Sequence, residues 1–270
     1  MSNDRLAGGA ELPHRWLWLF RLFRWYARRY VPKHFHAVRL SKTGLPFPPS
    51  DREPLLIVLN HPAWWDPMIC MVMSNFIADR DQFAAIDAEA VKQYAAFKKM
   101  GFIPVDTKTL RGAAEFVRLG TTILSQPNRV YWVTAQGRFT DVRERPLAIN
   151  AGVGHLAARL TSGAVLPLAL EYTFWTESTP EALVRVGEPL RITEHPGLSG
   201  KEWTALIEAA MTRNLDTLNA EAVSRAPERF TVLLSGKAGV GGPYDWWRRF
   251  KAWARGRKFD PSHGTEEARP

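Results

Sequence analysis

Leu55-Leu56-Ile57-Val58-Leu59-Asn60-His61-Pro62-Ala63-Trp64-Trp65-Asp66 joins an unbroken apolar run to a histidine and a carboxylate. An apolar run without polar alternation reads as a strand buried on both faces, the pattern of a parallel sheet. The histidine then emerges at the strand's carboxyl end, where sheets of this kind deliver chemistry. On a regular helix His61 and Asp66 would face different ways, so the spacing works when the histidine occupies the strand-to-helix turn and Asp66 opens the helix. A carboxylate there can hold one imidazole nitrogen and fix the tautomer, leaving the other nitrogen to take a proton from a hydroxyl. That is half of a catalytic triad, with no enzyme nucleophile. The plainer reading makes Asp66-Pro67 a helix start, an N-cap followed by proline in the first turn.

Around this stretch the chain alternates strand-like and helix-like segments. Residues 67–78 are apolar and rich in methionine, a buried helix. Strand patterns follow at 83–86, 130–133, 165–170 and 183–186, and residues 101–106, after a helical stretch through Lys99, read as a turn into another strand, with helical spacing at 111–124 and 151–160 between them. Ser199 and Glu202 form a capping box ahead of Trp203, Leu206, Ile207, Ala210, Met211, Leu215 and Leu218, an amphipathic helix. This alternation predicts an α/β domain with a central, largely parallel sheet flanked by helices. At 270 residues and 46% hydrophobic content the chain can bury one full core. Expected boundaries are a basic aromatic amphipathic helix in residues 1–40, a proline-rich linker at 41–54, the catalytic domain at 55–234, and a glycine-rich linker with a basic aromatic tail at 235–270.

Cys70 is the single cysteine, so neither an intrachain disulfide nor a cysteine-built zinc cage can form. His34-x-His36 lacks a third ligand in sequence reach. Gly152-x-Gly154-x-x-Ala157 matches a loose dinucleotide fingerprint, and Glu171 falls near where a ribose-binding acid is expected. The preceding Arg143, Glu144, Arg145 and Pro146 are not a strand, so the fingerprint lacks its context. No serine elbow or Walker-type loop is present.

The formal charge is +9, and six of the eleven tryptophans lie near the ends. Trp16, Trp18 and Trp25 alternate with arginines, and Trp246, Trp247 and Trp253 sit among arginines and lysines. Between Pro13 and Pro32 the arginines recur too often for a transmembrane span, which needs about 20 mostly apolar residues. A helix in the headgroup layer fits better, with Trp16, Leu19, Phe20, Phe23 and Tyr26 or Ala27 on its apolar side and guanidinium groups snorkelling outward. These patterns predict an anionic membrane surface as partner rather than nucleic acid, for which no recognised module is present. The alternative is a helix that packs on its own domain.

Asn60-His61-x4-Asp66, Gly101-Phe102-Ile103-Pro104-Val105-Asp106, Gln136-Gly137 and Val165-Leu166-Pro167-Leu168 occur in the order of the four motif blocks of the glycerolipid acyltransferases. The chain resembles the lysophospholipid, or 1-acylglycerol-3-phosphate, acyltransferase family over roughly residues 55–190. That resemblance implies a single acyltransferase-type domain that moves a fatty acyl group from a thioester donor, acyl-CoA or acyl-carrier protein, to the hydroxyl of a lipid-like acceptor. It implies no bound cofactor or metal, and a peripheral or monotopic position on the cytoplasmic face of a membrane. His61 would be the general base and Asp66 its orienting partner. Asn60, Thr107, Lys108, Gln136, Gly137 and Arg138 would bind substrate.

Two departures from the family pattern affect the acceptor. Thr107 and Lys108 stand where an arginine usually grips a glycerol phosphate, and Ala135-Gln136-Gly137-Arg138-Phe139 replaces the usual Pro-Glu-Gly-Thr-Arg. Threonine and lysine do not reproduce a bidentate guanidinium clamp. Either Lys108, Arg138, Arg143 and Arg145 rebuild a phosphate site, with Arg138 turned into the cleft beside His61, or the acceptor is a different lipid alcohol. Lysophosphatidate acylation is the first rival activity, and a membrane-binding scaffold without turnover is a rival of another class.

Overall fold

The computed structural model describes residues 12, 14–47, 52–89, 96–236 and 251. Its strands are β1 (Ala37–Ser41), β2 (Leu55–Leu59), β3 (Asp81–Asp87), β4 (Phe102–Val105), β5 (Arg129–Thr134), β6 (Ala164–Thr173), β7 (Glu181–Val186), β8 (Leu190–Arg191) and β9 (Phe230–Ser235). They form one sheet in the order β4-β3-β5-β2-β6-β7-β1-β9, with β8 paired to β6. From β4 through β6 every neighbour is parallel. The turns after β2, β4 and β5 and the end of β6 therefore gather at one edge, which is why four distant sequence blocks can meet there.

The unbroken apolar run of β2 has a simple cause: the strand lies at the centre of the sheet, and all of its residues are buried. Leu56 and Val58 enter one core, while Leu55, Ile57 and Leu59 enter the other. Each such side chain contributes about 1.5–3 kcal/mol when fully buried. The first core is covered by α4 (Leu110–Leu124), α5 (Ala151–Ala157) and α6 (Gly200–Ser224). The second is covered by α1 (Leu17–Tyr30), α2 (Asp66–Met73) and α3 (Ala96–Met100). The Gly152-x-Gly154 pair lies within α5 and has a packing role. A Cβ on Gly154 would fall 2.1 Å from Thr204 Oγ1 and 2.3 Å from the Gly200 carbonyl oxygen, so only glycine lets α5 and α6 approach this closely.

Two sequence expectations change. The sheet begins before Leu55, because β1 pairs with β7 and β9. Its polar members hide it from an apolar-pattern search, since buried Arg39 is neutralised by Glu181, with Nε 2.8 Å from Oε2. The second change concerns α1. Of the side expected to meet lipid, Leu19, Phe20, Phe23 and Ala27 pack against the second core, as Tyr30 does, while Trp16 and Tyr26 stay exposed. The outward side nevertheless carries Trp18, Leu22 and Trp25, each at least half exposed, alongside exposed Arg21 and Arg29. Among the described residues no helix is long and apolar enough to cross a membrane. The basic tail at 244–259 lies outside the described residues, apart from Lys251.

Candidate active site

His61 follows β2 in the turn that leads into α2. Its Nδ1 lies 2.5 Å from Asp66 Oδ2. Asp66 is the first residue of α2, and the N-cap position is Trp65, which makes no side-chain cap bond. The carboxylate is thus not a helix cap, contrary to the plainer reading of Asp66-Pro67. Its other contacts are the Tyr172 hydroxyl, which donates to Oδ1 at 2.7 Å, and the Ala63 N–H, 3.3 Å from Oδ2. Both of those groups donate, so an ionised Asp66 accepts from His61 as well, and Nδ1 carries the proton. Nε2 is left bare, on a side chain that is 19% exposed.

Asp66 is itself fully buried. Burial raises its pKa, against the hydrogen bonds from His61 and Tyr172 that lower it. The Tyr172 phenol is pushed up by its own burial and by the Asp66 charge, so it remains a donor. Phe139 packs on the His61 ring with centroids 4.4 Å apart.

Asn60 and Gln136, both expected to touch substrate, instead fix backbone. Buried Asn60 donates from Nδ2 to the Leu170 carbonyl at 2.9 Å and accepts from the Leu170 N–H at 2.8 Å. With both ends used, it extends the β2–β6 pairing one step past Leu59. Gln136 accepts from the His61 N–H at 2.9 Å and donates to the Leu147 carbonyl at 3.3 Å. Glutamine suits this position because it can accept and donate at once, whereas an ionised glutamate can only accept.

Gly137 adopts φ +65°, in the left-handed region where a side chain is strained. A Cβ there would stand 3.6 Å from the Thr107 methyl, so the second and third blocks do meet. Thr107 and Lys108 are exposed, and the Lys108 N–H donates to Asp106 Oδ1 at 2.9 Å. Arg138 does not turn toward His61. Its guanidinium, more than half exposed, pairs with Glu144 at 2.8 Å, because that acid lies nearby in the same loop. Arg143 is held by both oxygens of Asp141, and Arg145 by Asp216 and the carbonyls of Val142 and Glu144. Three of the four cations considered for a rebuilt phosphate clamp are thus paired with carboxylates.

Tyr172 and Phe139 were not among the expected site residues. Tyr172 carries one local signal, its place just beyond the fourth block on a long apolar strand. Phe139 carries none beyond adjacency to Arg138.

No curated protein matches the chain. A family model described as Acyltransferase matches residues 29–171, more than half of the sequence, from the end of α1 to the end of β6. That interval contains His61, Asp66, Gln136 and β6 as far as Glu171, one residue short of Tyr172, and the chain belongs to the acyltransferase family.

Proposed function

We propose that the protein transfers a fatty acyl group from an acyl thioester directly to a hydroxyl of a lipid-like acceptor at a membrane surface. The observation that carries this reading is the bond between His61 Nδ1 and Asp66 Oδ2, which leaves Nε2 bare. Nε2 takes the proton of the acceptor hydroxyl as its oxygen attacks the thioester carbonyl. The tetrahedral intermediate collapses with cleavage of the carbon–sulfur bond, and the imidazolium returns the proton to the departing thiolate. No acyl-enzyme is required. Asp66 stabilises the imidazolium formed between these steps.

The donor is acyl-CoA or acyl-carrier protein. Support for a peripheral position on an anionic membrane surface comes from the outward Trp18, Leu22 and Trp25 with Arg21 and Arg29, and from exposed Trp64 in the His61 turn. Lysophosphatidate acylation is the second reading, favoured by exposed Lys108 next to Thr107, where the second block approaches Gly137. The carboxylate pairing of Arg138, Arg143 and Arg145 favours an acceptor without a terminal phosphate.

Thiol release from acyl-CoA, measured with monoacylglycerol and with lysophosphatidate as acceptors, tests the reading. Wild type should turn over, and His61→Ala should lose ~10²-fold or more. Near-normal turnover in that variant would remove the mechanism. Efficient turnover of lysophosphatidate alone would select the second reading.

A further inference from the structure

On β6, Tyr172 turns to the Asp66 side of the sheet, and its neighbour Glu171 turns to the other. Leu170 is locked to Asn60 by two hydrogen bonds, so this level of β6 is fixed beside the His61 turn. The loop after Gly137 closes over the same edge, where the Thr140 N–H donates to the His61 carbonyl at 2.9 Å. Glu171 therefore lies at the reactive edge of the sheet, one residue from the Asp66 support.

Its carboxylate has an unusual position. Oε2 is buried and has no hydrogen-bond partner. Arg143 is the cation that acts on it, yet that guanidinium is bound by both oxygens of Asp141 at 2.8 and 2.7 Å. A buried carboxylate oxygen without a donor costs stability, and buried polar atoms are otherwise paired almost throughout proteins. Oε2 itself is closed off, but the residue is only partly buried, so a ligand's donor can reach the carboxylate from its open side without displacing a protein contact.

We infer that Glu171 selects the acceptor by its head group, accepting a hydrogen bond from a hydroxyl or ammonium and repelling a phosphate. This rests on the acyl-transfer reading above and adds the chemistry of the acceptor head. The repulsion acts in the same direction as the loss of the guanidinium clamp. Hydroxyl and ammonium heads share the required N–H or O–H donor, and the charge of Glu171 separates them.

The test is run at pH 8, where Glu171 is ionised, with the full chain and three alkyl ether lipids of one chain length, ending in a diol, an amino-diol and a glycerol phosphate. KM and kcat for each are measured with one acyl-CoA, and binding to the protein is measured separately without donor. Wild type should bind and acylate the diol and amino-diol in preference to the phosphate. Glu171→Gln keeps an acceptor oxygen but loses the charge. It should weaken the amino-diol about tenfold in KM and in binding, change the diol less, and improve the phosphate, with kcat within about twofold for each. An amino-diol preference that survives Glu171→Gln confines the donor to a neutral hydroxyl if Glu171→Leu abolishes it, and overturns the inference if Glu171→Leu does not. Phosphate preferred by wild type also overturns it. Head-dependent binding without thiol release would retain the Glu171 assignment and sink the acyl-transfer reading, whereas turnover with no change in head preference would do the reverse.

Discussion

The Tyr172 hydroxyl donates to Asp66 Oδ1 at 2.7 Å, on the carboxylate oxygen opposite the one that holds His61. The acid is thereby fixed from two sides, by the residue it orients and by a strand from the far side of the β2–β6 pairing. Tyr172→Phe removes only the donor and should keep the fold. Left with fewer donors, the buried Asp66 carboxylate would hold a proton more readily and orient His61 less well. A hydrogen bond to a charged group is worth about 1.5–3 kcal/mol, so kcat should fall roughly tenfold or more while KM for the acceptor changes little. Unchanged kcat in a stably folded Tyr172→Phe protein would reduce the tyrosine to packing.

Gln136 offers a sharper contrast, because the family pattern places glutamate there. Gln136→Glu can still accept from the His61 N–H, but it cannot donate to the Leu147 carbonyl and sets a carboxylate against it. A buried acceptor left without its donor costs about 1–3 kcal/mol. The variant should therefore melt at lower temperature at pH 8 than wild type and regain part of the loss at pH 5, where a protonated glutamate can donate. Thermal scans at the two pH values decide this. A variant as stable as wild type at pH 8 would show that the Leu147 contact is dispensable.

What was legible in the sequence followed from local pattern. The Leu55–Leu59 strand could be read because burial on both faces demands an unbroken apolar run, and His61 and Asp66 because their spacing makes sense only in one kind of turn. Tyr172 was not legible, since its partner depends on the register of β2 with β6, a non-local fact. Arg138 was misplaced because reading along the motif ignores Glu144, an acid of the same loop that binds it first. The apolar side of α1 was legible, but whether lipid or its own core would cover it was not, because amphipathic spacing is the same in both cases. Strand β1 escaped because its buried arginine is intelligible only beside Glu181.

The outward and inward sides of α1 now predict different phenotypes. Trp18→Ser with Trp25→Ser should leave the melting temperature within a few degrees of wild type and weaken sedimentation with anionic vesicles, because both rings are more than half exposed. Phe20→Ser with Phe23→Ser should destabilise the protein by several kcal/mol, since both side chains pack on the second core. Full vesicle binding by the outward variant would move the membrane contact away from this helix.

Glu171 carries a pH signature that can be measured without any substrate. Burial pushes its carboxyl from the ordinary 4.5 up to about 7, with Arg143 lowering it and Asp141 raising it. Between those two values the folded chain holds a proton that the unfolded chain has released. Stability from this group is therefore lost as pH rises through the window, and the deficit is complete by pH 8. Glu171→Gln has no proton to lose and no charge to bury. It should be more stable than wild type at pH 8, by about 1 kcal/mol once solvent screening of a partly exposed group is allowed for, or roughly 2–4 °C in Tm. The difference should shrink toward zero near pH 4, where both side chains are neutral. A stabilised variant with an altered acceptor preference would identify Glu171 as a group kept at a cost to the fold. An equal Tm across the whole range would mean that the carboxylate is already satisfied in the folded protein, and the reason to assign it a ligand would disappear.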